Sequence, residues 1–484
     1  MVNVEQYAVS FTPMRPFSDH SPRLRLSIIA ALVCTGTLLH ANITSDSTSR
    51  VAPAAAASAS LKDAYQNDFL IGAALNSRQY SGANSAATAL ISREFNSATA
   101  ENDMKWEVVE PKSNTFHFAP GDRFVEFCAQ HHLVAIGHNL CWHSQLPFWV
   151  SKPEPGQSVL TREVLLARLK NHIQTVAAHF KGKVRGWDVV NEAINDGNGE
   201  YRNSVFFRVI GKEYLPLAFK WAHEADPGAE LYYNDYNLDA DDAKRARAVE
   251  LVNYLREQGA QIDGIGLQGH YNLITPAAAK IDETIKIFAN LGLKVMITEL
   301  DVEAIHETHV SGAVDAHTGK RALPHFFPDI SVLKQKIALT DAQAAKVGPL
   351  FEKASQEIDA AVEAKEYSRI GEIRETTGDA VEKLLDEKQR GPFEDLLAGP
   401  VGGRPVAPPP PPLTTEQQHE LAQRYADIFR VFVANRKAIT RVTFWGVDDG
   451  DSWRRRSSPL LFDDKLQRKP AYDAVIAAAL SVDK

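Results

Sequence analysis

Eight short apolar runs, each followed by an amphipathic stretch, constrain this chain more than any other feature. The runs lie at 69–75, 95–100, 134–142, 184–191, 231–234, 262–268, 295–300 and 442–447. Stretches such as 164–180, 204–225, 241–258 and 276–291 carry apolar residues at helical spacing between them. Eight strand–helix units in one chain predict an α/β fold, a (β/α)8 TIM barrel. In such a barrel the C-terminal ends of all strands share one face, and reactive side chains collect there.

One interval breaks the rhythm. The seventh and eighth runs start at Val295 and Val442, far further apart than the others, and only one helix, 415–438, is needed between them. The surplus, 304–413, reads as a helical insertion between strand 7 and helix 7. It opens with a polar loop carrying His306, His309, His317 and His325. Helical patterns follow, with apolar positions Val347, Leu350, Ala354, Ile358 and Val362, then Ile370, Ile373, Val381, Leu384 and Leu385. Thr340 with Gln343 reads as a capping box, and Gly348-Pro349 should break or kink the first long helix. Pro408 to Pro412 form a stiff spacer back to the barrel. The barrel then occupies 61–303 and 414–484.

The N-terminus reads as a secretory signal over 1–41. Arg15, Arg23 and Arg25 precede a short apolar stretch from Leu26, and Leu39-His40-Ala41 offers a small residue for cleavage. Met14 is an alternative start. Residues 42–60 form a Ser/Ala-rich linker. The expected location is therefore secreted, periplasmic or at the cell surface. A net charge of −8 argues against a nucleic-acid partner. Cys128 and Cys141 lack metal-ligand spacing and read as buried thiols. The loop histidines lack a completing carboxylate or cysteine pattern, so no metal site is expected.

Two of the runs carry a glutamate at their C-terminal end, one just after it and one just before. Glu192 closes Gly186-Trp187-Asp188-Val189-Val190-Asn191-Glu192, and Glu299 closes Val295-Met296-Ile297-Thr298-Glu299. Two carboxylates at the ends of two barrel strands can converge over one bond, which is the machinery of glycoside hydrolysis. Retention needs the carboxyls about 5–5.5 Å apart, the acid with a raised pKa and the nucleophile ionised. The residues alone do not say which glutamate plays which part.

The "WDVVNEA" and "ITELD" pair resembles glycoside hydrolase family 10, the endo-β-1,4-xylanases, and the resemblance extends over about 61–302 and 414–480. It implies that Glu192 is the acid/base and Glu299 the nucleophile. It implies that Asn191 bonds the sugar 2-hydroxyl, and that His270, after Gln268-Gly269, lies against the nucleophile. Glu101, Asn102 and Lys105 then bind sugars on the non-reducing side of the cut. His138 and Trp142 match positions at the sugar before the scissile bond. Tyr236 resembles a leaving-side contact, Gln268 lines the site, and Asp301 orients a histidine. Trp445 and Trp453 wall the central subsite, where apolar sugar faces favour indoles. Arg454-Arg455-Arg456 departs from the family pattern.

These implications give a secreted retaining endo-β-1,4-xylanase acting on xylan or xylo-oligosaccharides, without a cofactor and as a monomer. A β-1,4-glucanase on the same scaffold is the enzyme rival. A non-catalytic glycan-binding or envelope protein is the rival from another class. "LTDAQAAKVGPLFEKA" followed by "LLDEKQRGPFEDLL" is similar to the periplasmic LTxxQ-motif helical family, which implies a cell-envelope contact through the insertion.

Overall fold

The computed structural model describes residues 60–154, 156–305, 327–363, 367–398 and 412–480. The signal at 1–41, nearly all of the linker, the four loop histidines from His306 to His325, and Pro408 to Pro411 lie outside the described residues.

Nine strands form one sheet: β1 (Leu70–Leu75), β2 (Ser97–Ala100), β3 (Val134–Trp142), β4 (Gly186–Asn191), β5 (Glu230–Asp235), β6 (Gly264–Leu267), β7 (His270–Asn272), β8 (Lys294–Glu303) and β9 (Ile439–Phe444). All pairings are parallel, and β6 pairs directly with β8 from Gly264↔Lys294 to Leu267↔Ile297. That pairing closes an eight-stranded barrel, as the rhythm of the sequence predicts. The short β7 is an addition that pairs with the far end of β8, His270 opposite Asp301.

Parallel strands covered by helices on the outside are buried on both faces, hence their nearly continuous apolar runs. Trp187 is buried at zero exposure on the outer face of the barrel wall, against Gly137 of the neighbouring strand and 6.0 Å from Phe180 at the end of the Arg162–His179 helix. A Cβ at Gly137 would stand 2.2 Å from the Trp187 ring, so only glycine fits there.

The structure shifts several expected boundaries. The last strand spans Ile439–Phe444 rather than 442–447, because pairing with β8 begins at Ile439 and the chain peels away at Gly446, φ 135°. The single helix expected over 204–225 is two, Val205–Ile210 and Tyr214–Ala225, separated at Gly211 with φ 85°. The helix preceding β9 stops at Ala434.

The insertion contains helices Ile330–Ile337, Asp341–Glu363, Tyr367–Glu382 and Glu387–Ala398. Their buried residues, among them Leu333, Val347, Phe351, Ile358, Val381 and Phe393, form a core separate from that of the barrel. The capping box at Thr340 is present: Thr340 N donates to Gln343 Oε1 at 3.0 Å and Gln343 N to Thr340 Oγ1 at 3.2 Å. Of the break or kink expected at Pro349, the break is absent. The helix runs through it, and Pro349 and Ala345, whose carbonyl loses its partner, are both exposed to solvent.

Candidate active site

Glu192 follows directly on β4, and its backbone turns into the left-handed region, φ 57°. For a non-glycine residue this costs on the order of 1 kcal/mol and re-aims the side chain off the strand. The turn is held by Glu192 N donating 2.9 Å to the Asn234 carbonyl, and by Arg202 Nε donating 2.8 Å to the Glu192 carbonyl. The carboxylate accepts from Trp142 Nε1 at 2.9 Å and from Gln268 Nε2 at 3.0 Å.

Glu299 lies within β8 and is only 5% exposed. Its Oε1 accepts from Asn234 Nδ2 at 2.8 Å, and its Oε2 lies 3.1 Å from His270 Nε2. The same Asn234 nitrogen is 2.9 Å from the Asn191 amide, and Gln268 Nε2 is 3.4 Å from that amide. The two glutamates therefore sit on either side of one amide group, that of Asn191. Gly269, φ 80°, makes this possible, because it turns the chain so that Gln268 serves Glu192 while His270 serves Glu299.

Electrostatics separates the two sides. Burial opposes the charge of His270, but Asp301, whose Oδ2 lies 3.0 Å from Nδ1, and Glu299 overcome it and hold the ring proton up to about 9. Burial also opposes the charge of Asp301, yet its carboxyl is held below its ordinary value by His270 and Arg454, with Trp453 Nε1 donating at 2.8 Å. Arg454 Nη1 reaches Asp301 at 3.1 Å and lies 3.4 Å from Glu303, which gives the first of the three unusual arginines a structural place behind the nucleophile candidate.

The Glu192 carboxyl departs from expectation. Burial pushes it up, but His143, Arg202 and the donors Gln268 and Trp142 bring it down to about 2. His143 is itself lowered to about 3, chiefly by burial, and is neutral near pH 7. Arg202 and the two N–H donors are therefore the stabilisers that operate at neutral pH. The raised pKa expected of an acid is absent.

The other expected positions surround this centre. Lys105 Nζ donates to Gln145 Oε1 at 2.6 Å and Asn102 Oδ1 at 3.1 Å, and lies 4.9 Å over the Trp142 ring. Glu101 precedes Asn102 at the end of β2, its carboxyl raised by burial. His138 Nδ1 is 2.9 Å from Asp188, and its ring meets Trp445 edge-on at 5.3 Å. Trp453 is 54% exposed, an open indole face above His270. Tyr236 accepts from Arg202 Nη2 at 2.9 Å and carries Lys244 3.4 Å over its ring.

Sequence reading missed Asn234, Thr298, Gln145, Asp188, Arg202 and Lys244. Asn234 carried a signal, since it lies next to the C-terminal end of β5. Thr298 Oγ1 donates to its Oδ1 at 2.6 Å and so turns the amide nitrogen towards Glu299. Arg202 and Lys244 lie off the strand ends and carried none.

The chain is also similar to known proteins. The family model for glycosyl hydrolase family 10 matches residues 60–343 and 405–478. The chain is 43% identical over 252 residues to a β-1,4-xylanase of Dictyoglomus thermophilum, covering 51% of this chain and 67% of that protein. It is 32% identical over 423 residues to endo-1,4-β-xylanase A of Xylanibacter ruminicola, covering 86% and 92%. Among solved structures it resembles a psychrophilic family 10 endo-β-1,4-xylanase, with TM-score 0.62, 30% identity, and coverage of 86% of this chain and 99% of that one. It also resembles xylanase 10B of Thermotoga petrophila in complex with xylobiose, with TM-score 0.61, 28% identity, and coverage of 88% and 98%.

Proposed function

The chain belongs to glycosyl hydrolase family 10, and on that premise we propose that it is a secreted retaining endo-β-1,4-xylanase. The observation that carries the reading is the placement of Glu192 and Glu299 around the Asn191 amide, with indoles on two sides of the cleft. The xylanase names of its relatives supply the substrate.

In the first step Glu299 attacks the anomeric carbon while Glu192 gives its proton to the leaving oxygen. The imidazolium of His270 and the amide of Asn234 keep the Glu299 carboxylate ionised and aimed. Asn191 meets the sugar 2-hydroxyl, where a hydrogen bond strengthens as positive charge develops. In the second step Glu192, now a carboxylate with Arg202 behind it, takes a proton from water, whose oxygen bonds the anomeric carbon as the bond to Glu299 breaks. Trp142 and Gln268 hold the Glu192 carboxyl down until a sugar draws these donors away, and the proton it then carries serves the first step.

Release of reducing sugar from xylan and from carboxymethyl-cellulose, with Glu299→Gln beside the native chain, tests the reading. Activity on xylan that disappears in the variant supports it. Activity mainly on the cellulose derivative would assign a glucanase, and inactivity of folded protein on both would leave a glycan-binding barrel.

A further inference from the structure

The insertion leaves the barrel after β8, yet its Tyr367–Glu382 helix is seated across the barrel mouth. Lys152, in the loop after β3, pairs with Asp379 and lies 3.2 Å from Glu382. Arg374 of the same helix lies beside Glu107, which follows β2, and each eases the other's burial. In the closed barrel β3 stands opposite β8. The apolar cores of insertion and barrel do not merge, so ion pairs hold this seat.

The contacts can be followed outward from the scissile position. Trp142 bonds Glu192 at 2.9 Å, and Lys105 lies over Trp142. Lys105 bonds Gln145 at 2.6 Å, and Gln145 bonds Glu107 at 2.9 Å. Arg374 comes next. Trp142 and Lys105, the first residues passed, are among those expected to hold sugars on the non-reducing side, so the helix stands where that half of the cleft would continue.

We infer that the Tyr367–Glu382 helix closes the non-reducing end of the cleft, so that the enzyme cuts only a few sugars from that end and takes short xylo-oligosaccharides in preference to polymeric xylan. The inference rests on the xylanase reading and narrows its substrate class. Lys152, Arg374, Asp379 and Glu382 are then specificity-determining residues that touch no reacting atom.

The test compares xylohexaose labelled at its reducing end, polymeric xylan, and an aryl β-xylobioside, which places only two sugars before the cut. The proteins are the full native chain, Lys152→Ala/Arg374→Ala, and the charge reversal Asp379→Lys. The native chain should cut the hexaose near its non-reducing end and lower xylan viscosity slowly. In the variants the ratio of kcat/KM on xylan to that on the aryl xylobioside should rise at least about tenfold. Cuts spread evenly along the hexaose by the native chain would overturn the closed end, even if a variant failed to fold. An unchanged ratio in folded variants would likewise overturn it. Failure to turn over the aryl xylobioside would defeat the xylanase reading itself, and this is separable from the other two results.

Discussion

His270 Nε2 lies 3.1 Å from Glu299 Oε2, and the ring's other nitrogen lies 3.0 Å from Asp301. A cation is thereby fixed between two buried carboxylates. The ring pKa rises from 6.5 to about 9, so its contribution to stability is fully present below 6.5 and is lost as pH rises through about 9. The shift corresponds to roughly 3 kcal/mol. Activity should therefore fall on the alkaline side near pH 9, and His270→Gln should abolish that limb while lowering kcat throughout. Profiles of kcat/KM from pH 6 to 10 for both proteins check this.

Asn234 donates to Glu299 and adjoins Asn191, and Thr298 fixes its orientation. Asn234→Ala should lower kcat by about 10- to 100-fold, the range for losing one hydrogen bond to a charged group. KM should change much less. Steady-state kinetics beside a circular dichroism melt separate this from misfolding.

Much of this site was legible because its parts sit in short contiguous segments. Asn191 with Glu192, Gln268 with His270, and Glu299 with Asp301 are each neighbours in sequence, and strand ends carry them to one face. What escaped reading acts across the barrel. Arg202 reaches back to the Glu192 carbonyl and on to Tyr236, and Lys244 comes from a helix to meet Asp235. Periodicity found the strands, since burial on both faces is written in composition. It missed the break at Gly211, where a φ of 85° rather than a change of polarity ends the helix. It allowed for a break at Pro349, whereas one carbonyl released on a solvent-facing side is easily served by water and the helix continues.

Lys244 is fully buried and pairs with the equally buried Asp235 at 2.9 Å. Lys244→Met would leave that carboxylate without its counter-ion. The expected loss is about 3–5 kcal/mol, the range for breaking one partner of a buried pair. Urea unfolding followed by tryptophan fluorescence measures it.

Within the insertion, Gln343 Nε2 donates to Gln389 Oε1 at 2.7 Å and to the Leu384 carbonyl at 3.0 Å. The two quoted helix-start motifs thus lock to each other. Gln389→Ala should weaken the insertion by about 1–3 kcal/mol, since the Gln343 amide loses an acceptor and the Ile337 and Ala338 carbonyls lose the donor Gln389 Nε2 at 3.3 and 3.2 Å. Hydrogen exchange should quicken in 330–398 and stay unchanged in the barrel strands.

Glu192 matters most where the leaving group needs a proton. Glu192→Ala should cut activity on xylan by about 10²- to 10⁴-fold, the usual share of general acid catalysis. It should reduce the first step on a dinitrophenyl xylobioside far less, because that phenol leaves without help. Burst kinetics on the aryl substrate check the difference. The depressed carboxyl also contributes stability that is present above its ordinary value of 4.5 and is lost as pH falls through about 2.

The most direct test of the account is to trap the covalent intermediate with a fluorinated, activated xylobioside and locate it by mass spectrometry of peptides. The account predicts one added disaccharide, on the peptide containing Glu299. A label on Glu192, or steady turnover that inverts the anomeric centre with no label at all, would contradict it.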